Sequence, residues 1–219
     1  MEEGRPSATA MGAAMARAAH LLLDGEPKIL RDELALGLSG MENVAALRAV
    51  LQTIQAELTQ RSTPALAPVV FRNVRALTTV RSRYAEDELS KAIGRGVAQY
   101  VMLGAGLDSF AYRRRDLAEV LRVFEVDYPA TQAWKQARLR TLGVELPSNL
   151  TFIPLDFEKQ SLVDALRAGG YDAEKPAFFS WLGVTEYLTE DAIFTTLQVV
   201  AAMAPGSEIV FQYVLPESL

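Results

Sequence analysis

Gly104, Ala105 and Gly106 form a turn between an apolar run, Gln99–Leu103, and a helix-forming stretch that opens near Ser109. Neither glycine carries a side chain, so backbone can come close to a ligand there. Asp127 follows about twenty residues later, at the end of a second apolar run, the spacing at which a βαβ unit places an acid on a nucleoside ribose. A strand-end acid with no ligand is the plain alternative. The third glycine of a dinucleotide-binding turn is replaced by Ser109, and Asp108 stands at the helix start, where a pyrophosphate would otherwise sit. A carboxylate there repels phosphate and suits a cation. S-adenosyl-L-methionine (SAM) has no phosphate and carries a sulfonium and an ammonium, so these residues favour SAM over NAD(P). Asp108 also suits the role of helix N-cap, and the two roles are compatible.

Other residues can complete such a site. Asp156 and Phe157 follow a third apolar run (FIPLDF): the acid can accept from an adenine amino group while the ring packs on the base, and a solvated loop acid is the even alternative. The loop SWLGVTEY follows a fourth run and would line the reacting end of the cofactor, which makes Trp181, Glu186 and Tyr187 pocket candidates. The two aromatics could wall the methyl group and its acceptor, with core packing as the other reading of Trp181. Arg81 and Arg83 (TTVRSRYAED) offer guanidinium groups for a carboxylate, although at least one belongs on a solvated helix face. Arg113, Arg114 and Arg115 read as a surface run. His20, the only histidine, reads as a packing or surface residue rather than a general base. No cluster has metal-ligand spacing, no G-x-S-x-G elbow occurs, and no residue is singled out as catalytic.

The elements that must hold these residues are legible in the hydrophobic pattern. Strands are expected at Gln99–Leu103, Val123–Val126, Thr151–Pro154, Ala177–Leu182 and Glu208–Leu215. Helices are expected between them near Ser109–Leu121, Pro129–Leu142, Leu162–Ala168 and Glu190–Ala202. Strands joined by long crossovers make an α/β fold with a parallel sheet, whose ligand lies beyond the carboxyl ends of the strands. Residues 1–95 read as an N-terminal helical cap. Its helices fall at Ala10–Leu23, from Pro27, at Val44–Leu58 with apolar residues at a 3.6-residue period, and at about Val69–Leu89. Residues 96–219 read as the cofactor-binding α/β domain.

Composition narrows the class. The chain has 219 residues, half of them hydrophobic, with a net charge of −5 and no cysteine. No basic tract of a nucleic-acid binder stands out, and no apolar run approaches a membrane span. The absence of disulfides and thiolates suits a cytoplasmic protein.

Five segments taken together, RSRYAEDEL, YVMLGAGLDSFAYRR, FEVDYPATQAWKQARL, FIPLDFEKQSLVDALRAGGYD and FFSWLGVTEYLT, resemble the SAM-dependent methyltransferases of the leucine carboxyl methyltransferase-like family, actinobacterial type. The resemblance spans roughly residues 5–219. It implies a class I methyltransferase (Rossmann-like) sheet with SAM as cofactor. Arg83, with Arg81 beside it, matches an arginine on the cofactor carboxylate. Gly104 and Gly106 match the cofactor loop, Asp127 the ribose acid, and Asp156 with Phe157 the adenine pair. Where many members carry a glutamate against the methionine portion, this sequence has Leu182, with Glu186 four residues later. A full fold of this type adds two strands after the fifth. The expected sheet therefore lacks its last two strands, and the run IVFQYVL becomes an open edge that invites self-association. The expected activity is O-methylation of a small-molecule carboxylate or hydroxyl. An NAD(P)-linked oxidoreductase and a non-catalytic, truncated SAM-binding fragment are the rivals.

Overall fold

The computed structural model describes residues 7–61 and 67–214. Five strands, β1 (Gln99–Leu103), β2 (Arg122–Asp127), β3 (Leu150–Pro154), β4 (Phe178–Trp181) and β5 (Glu208–Phe211), form one all-parallel sheet in the order β3-β2-β1-β4-β5. The strand order reverses between β1 and β4, so the crevice for a ligand lies beyond Leu103 and Trp181. β1 and β4 are buried along their whole length, which is why they read as mainly apolar runs rather than alternating ones, with Gln99 and Ser180 as their buried polar residues.

Side chains leave the sheet on two faces. Val101, Phe124, Ile153, Phe179 and Trp181 pack beneath α7 (Leu162–Ala168) and α8 (Glu190–Ala201). Tyr100, Met102, Val123 and Phe178 pack with Leu89 and Ala92 of α4 (Ala67–Gly94) and with Phe110 of α5 (Phe110–Arg113). α6 (Pro129–Thr141) opens on a proline at its first turn, as its sequence predicts. The N-terminal helices are α1 (Ala8–Leu23), α2 (Ala35–Leu38) and α3 (Val44–Arg61); α1 lies along α4 and against α2. Among the described residues no helix is long and apolar enough to cross a membrane.

Three expectations change. Pro27 does not start a helix: residues 24–34 form a loop held by His20, whose Nε2 accepts the N–H of Ile29 at 3.1 Å. A helix begun at Pro27 would leave the Ile29 N–H without an intrahelical acceptor, and in the loop His20 supplies one. The helix expected at Ser109–Leu121 is one α turn, α5, followed by a 3-10 turn at Arg115–Leu117. Its arginines diverge: Arg113 turns inward to Glu86 and Ser109, Arg114 pairs with Asp116, and Arg115 reaches the Glu145 carbonyl. Arg113 therefore does not belong to a surface run. Finally, β5 ends at Phe211, and Leu215, the expected end of that strand, lies outside the described residues, as does Pro64. β5 is the outer strand on its side of the described sheet, with Phe211, Tyr213 and Val214 exposed.

Candidate functional site at the strand ends

The glycine turn is fastened to β2 by its own backbone. The Gly104 and Ala105 N–H groups both donate to the Val126 carbonyl, at 2.8 and 3.0 Å. Gly106 N–H donates to Asp127 Oδ2, and the other Asp127 oxygen accepts the Tyr128 N–H at 2.6 Å. Burial raises the Asp127 carboxyl above its usual value, and the Gly106 and Tyr128 N–H groups oppose that shift. Each carboxylate oxygen keeps lone-pair capacity for a further donor.

Both glycines also serve the protein's own packing. Gly104 has φ +69°, and a Cβ there would collide with Val184 Cγ2 from the loop after β4. Gly106 has φ +52° and would place a Cβ 3.2 Å from Ala10 of α1. The loop after β4 and the first turn of α1 thus close over the turn from two sides. Ser7 N–H reaches Thr131 Oγ1 on α6 at 3.2 Å and fixes the start of α1 there.

Asp108 does not cap a long helix. Its Oδ1 accepts the Phe110 N–H at 2.7 Å, and the helix it precedes has four residues. The turn's three N–H groups are committed within the protein and the helix is too short to carry a useful dipole. Gly104, Ala105 and Gly106 therefore offer a pyrophosphate no free backbone donor.

Arg81 and Arg83 separate. Arg83 is exposed, bonded to Asp87 at 2.8 Å and to the Ile29 carbonyl at 3.2 Å, and points away from the strand ends. Arg81 points into them: its Nη1 donates to Gln212 Oε1 at 2.6 Å, and a Cβ on Gly183 would lie 2.7 Å from the guanidinium. Among the described residues no carboxylate stands within ion-pair distance of Arg81. Burial pushes its guanidinium below its ordinary value, and Glu186 opposes that through space. Gln212, which sequence reasoning did not single out, also fixes the loop after β4, since its carbonyl accepts from Thr185 Oγ1 at 2.8 Å.

The remaining candidates are placed unevenly. Asp156 closes a turn after β3, accepting the Glu158 N–H at 3.1 Å and pairing with Lys159 at 3.2 Å. Phe157 packs against Trp181, with ring centroids 6.4 Å apart. Trp181 is fully buried in the core beneath it rather than lining a pocket. Glu186 and Tyr187 are exposed on a 3-10 turn, and Leu182 is half-buried. His20 is locked by structure: with Nε2 accepting from the backbone, Nδ1 carries the proton and donates to Asp24 at 2.8 Å.

Beneath the site lies a buried charge pair. Lys135 Nζ on α6 reaches Glu125 Oε2 at 2.6 Å, with both side chains fully buried and the ammonium 5.4 Å from the Tyr112 ring centre. Burial raises the Glu125 carboxyl to about 7 even though Lys135 pulls it down. Glu125 stands two residues before Asp127 on β2, so Lys135 serves the strand that presents the candidate ribose acid.

The chain is similar in sequence and in fold to known proteins. A protein of Bacillus subtilis named "Putative S-adenosyl-L-methionine-dependent methyltransferase YktD" is 41% identical over 134 residues, which are 61% of this chain and 44% of that protein. A Mycolicibacterium gilvum protein, "Putative S-adenosyl-L-methionine-dependent methyltransferase", is 38% identical over 138 residues, 62% of this chain and 44% of its own. The chain thus matches under half the length of these curated relatives. The crystal structure of a methyltransferase from Thermobifida fusca, itself titled putative, superposes with a TM-score of 0.54 at 19% identity, covering 100% of this chain and 70% of that one, so the fold is the class I methyltransferase fold. Residues 10–201 match the model of the leucine carboxyl methyltransferase family, and the chain belongs to that family.

Proposed function

We propose that this chain carries the SAM-binding part of a methyltransferase that methylates an oxygen, carboxylate or hydroxyl, of a small molecule. The observation that carries the reading is the closed turn: Gly104, Ala105 and Gly106 spend their N–H groups on β2, and Asp127 remains as acceptor. Such a turn suits a nucleoside without a phosphate. Arg81 supplies a desolvated guanidinium with only a neutral side-chain partner, fit for the cofactor's carboxylate. On this reading residues 1–95 form the cap and 96–219 the cofactor unit, in a cytoplasmic protein. Asp156 and Phe157 flank the adenine, and Glu186 and Tyr187 face the acceptor.

SAM supplies an activated methyl group, so the protein's task is to orient acceptor and cofactor and to exclude water. A carboxylate acceptor needs no base. His20 is in no position to act as one, since both ring nitrogens are engaged. β5 is the outer strand on its side of the described sheet, and it is the edge at which self-association is proposed.

Thermal unfolding with S-adenosylhomocysteine and with NAD tests the cofactor. A ligand at a hundredfold excess over its Kd adds about 2.7 kcal/mol. For a chain of this size each kcal/mol is worth roughly 2–4 °C. S-adenosylhomocysteine should raise Tm by about 5–10 °C and NAD should leave it unmoved; the reverse pattern sinks the proposal. Tight binding without turnover over a panel of carboxylate and hydroxyl acceptors would favour a non-catalytic SAM-binding role, consistent with Leu182 at the family's glutamate position.

A further inference from the structure

In a dinucleotide fold a long helix follows the glycine turn and holds it in place. Here α5 is four residues long, so the support of the loop must come from elsewhere. Two arginines supply it, Arg17 buried and Arg113 partly so. Arg17 on α1 donates from Nε to Asp32 Oδ2 at 2.7 Å and from Nη2 to the Leu107 carbonyl at 2.6 Å. Arg113 donates from Nε to Ser109 Oγ at 2.7 Å, lies 3.8 Å from the other Asp32 oxygen, and is bound on its far side by Glu86 of α4. The two arginines therefore grip the loop on either side of Asp108, and Asp32 ties them together. Arg17 and Asp32 are buried, with side-chain exposures of 6% and 0%. Burial alone would raise the Asp32 carboxyl, but Arg17 and Arg113 outweigh it and hold the carboxyl below its usual range.

We infer that Arg17 is a positioning residue for the cofactor loop, acting through the Leu107 carbonyl, with Arg113 as a second strut through Ser109. The loop is thereby tied to the N-terminal helices as well as to β2, directly through Arg17 of α1 and indirectly through Arg113 of the short α5, which Glu86 of α4 holds. Charge-assisted bonds suit the task because they are short and directional in a buried setting. The cofactor consequence rests on the proposed SAM site; the order of the loop does not.

The test compares wild type with Arg17→Met, Arg17→Lys and Ser109→Ala by two readouts. Amide hydrogen exchange of the ligand-free protein reports residues 105–110 against β1 and β2, and calorimetry gives the Kd of S-adenosylhomocysteine. Arg17→Met should speed exchange in the loop by about tenfold or more, the scale of a lost charge-assisted bond, with β1 and β2 unchanged. It should weaken S-adenosylhomocysteine by a similar factor, and Arg17→Lys should recover part of both. Ser109→Ala cuts the second strut while Arg113 keeps Glu86, so it stays folded if Arg17→Met does not, and it should loosen the same amides to a smaller extent. Loop exchange that stays at the wild-type rate in Ser109→Ala and Arg17→Lys overturns the inference. So does exchange that rises evenly across the sheet, which is the signature of a merely structural role. Wild type that fails to bind S-adenosylhomocysteine would sink the cofactor reading, while the exchange experiment still decides the positioning role.

Discussion

Lys135→Met removes the ammonium that Glu125 touches and leaves a carboxylate in the core. The two charges sit 2.6 Å apart with no exposed surface on either side chain. At an effective dielectric of 20, attraction at that separation is about 6 kcal/mol. Desolvation costs several kcal/mol for each ion, so the intact pair is close to balance. Removing one partner keeps the acid's desolvation and forfeits the attraction, a loss of about 3–5 kcal/mol. The lost contact with the Tyr112 ring, 5.4 Å from Nζ, adds to it. At roughly 2–4 °C per kcal/mol, Tm should fall by about 6–20 °C at pH 8.

The pH dependence separates a stranded charge from a simple packing defect. In wild type the Glu125 carboxyl stands at about 7, raised by burial and restrained by Lys135, against an ordinary value of 4.5. Without Lys135 it rises further. Between the unfolded and folded values the native state holds the proton and the unfolded state does not, so stability falls as pH rises through that window. Below about 7 wild type and variant lose stability in parallel, and above it only the variant goes on losing, so the deficit of Lys135→Met should be larger at pH 8 than at pH 5 by about 1.4 kcal/mol, the linkage of one pH unit. Glu125→Gln combined with Lys135→Met should recover much of the loss, because no charge is stranded. Urea unfolding at the two pH values decides the matter. A deficit below about 1 kcal/mol at pH 8, against the expected 3–5, or one that is the same at pH 5, refutes the reasoning.

Asp127→Asn turns one of the two acceptor oxygens into a donor, so either the Gly106 or the Tyr128 N–H loses its partner and the ribose loses an acceptor. S-adenosylhomocysteine should bind about 10–100-fold more weakly by calorimetry, the range for a hydrogen bond to a charged group, and unchanged affinity would remove Asp127 from the ribose site. Gly104→Ala meets both a positive φ and Val184. The backbone share is about 1–2 kcal/mol and the clash about 1–3 kcal/mol. Adding Val184→Ala should return the second share and not the first, as urea unfolding of the cycle would show; complete recovery would mean that the turn tolerates a side chain.

What the sequence revealed follows from what each signal reports. β1 falls at Gln99–Leu103 as expected, because a strand buried on both faces is an apolar run with sharp ends. β2 extends one residue beyond expectation at each end, since Arg122 and Asp127 are polar but still paired in the ladder. The helix expected after Ser109 was illegible for a different reason. Its period is correct for Phe110 to Tyr112, but Arg113 is drawn to Glu86, a residue 27 positions away, and local pattern cannot report a distant partner. Arg17 escaped notice likewise: it lies among alanines, yet Ala14 and Ala18 beside it are buried, so a charge on that stripe had to find a partner inside.

The choice between Arg81 and Arg83 was more accessible than it first looks. Thr78, Ser82, Ala85, Leu89 and Ala92 of α4 are all buried, at spacings of four, three, four and three. That is the inner stripe of an amphipathic helix, and it is written in small and apolar residues that sequence alone displays. Each residue advances about 100°. Arg81 precedes Ala85 by four positions and so lies about 40° from the stripe's line, at its margin. Arg83 precedes Ala85 by two and lies about 160° away, on the opposite face. A long side chain at the margin can fold inward to Gln212, as Arg81 does, whereas Arg83 on the opposite face meets Asp87 of its own helix and the Ile29 carbonyl of the loop after α1. Family likeness assigned the arginine by its place in a motif. Helical geometry gives direction, and direction turns Arg81 rather than Arg83 toward the strand ends, where the proposed site would hold the cofactor carboxylate.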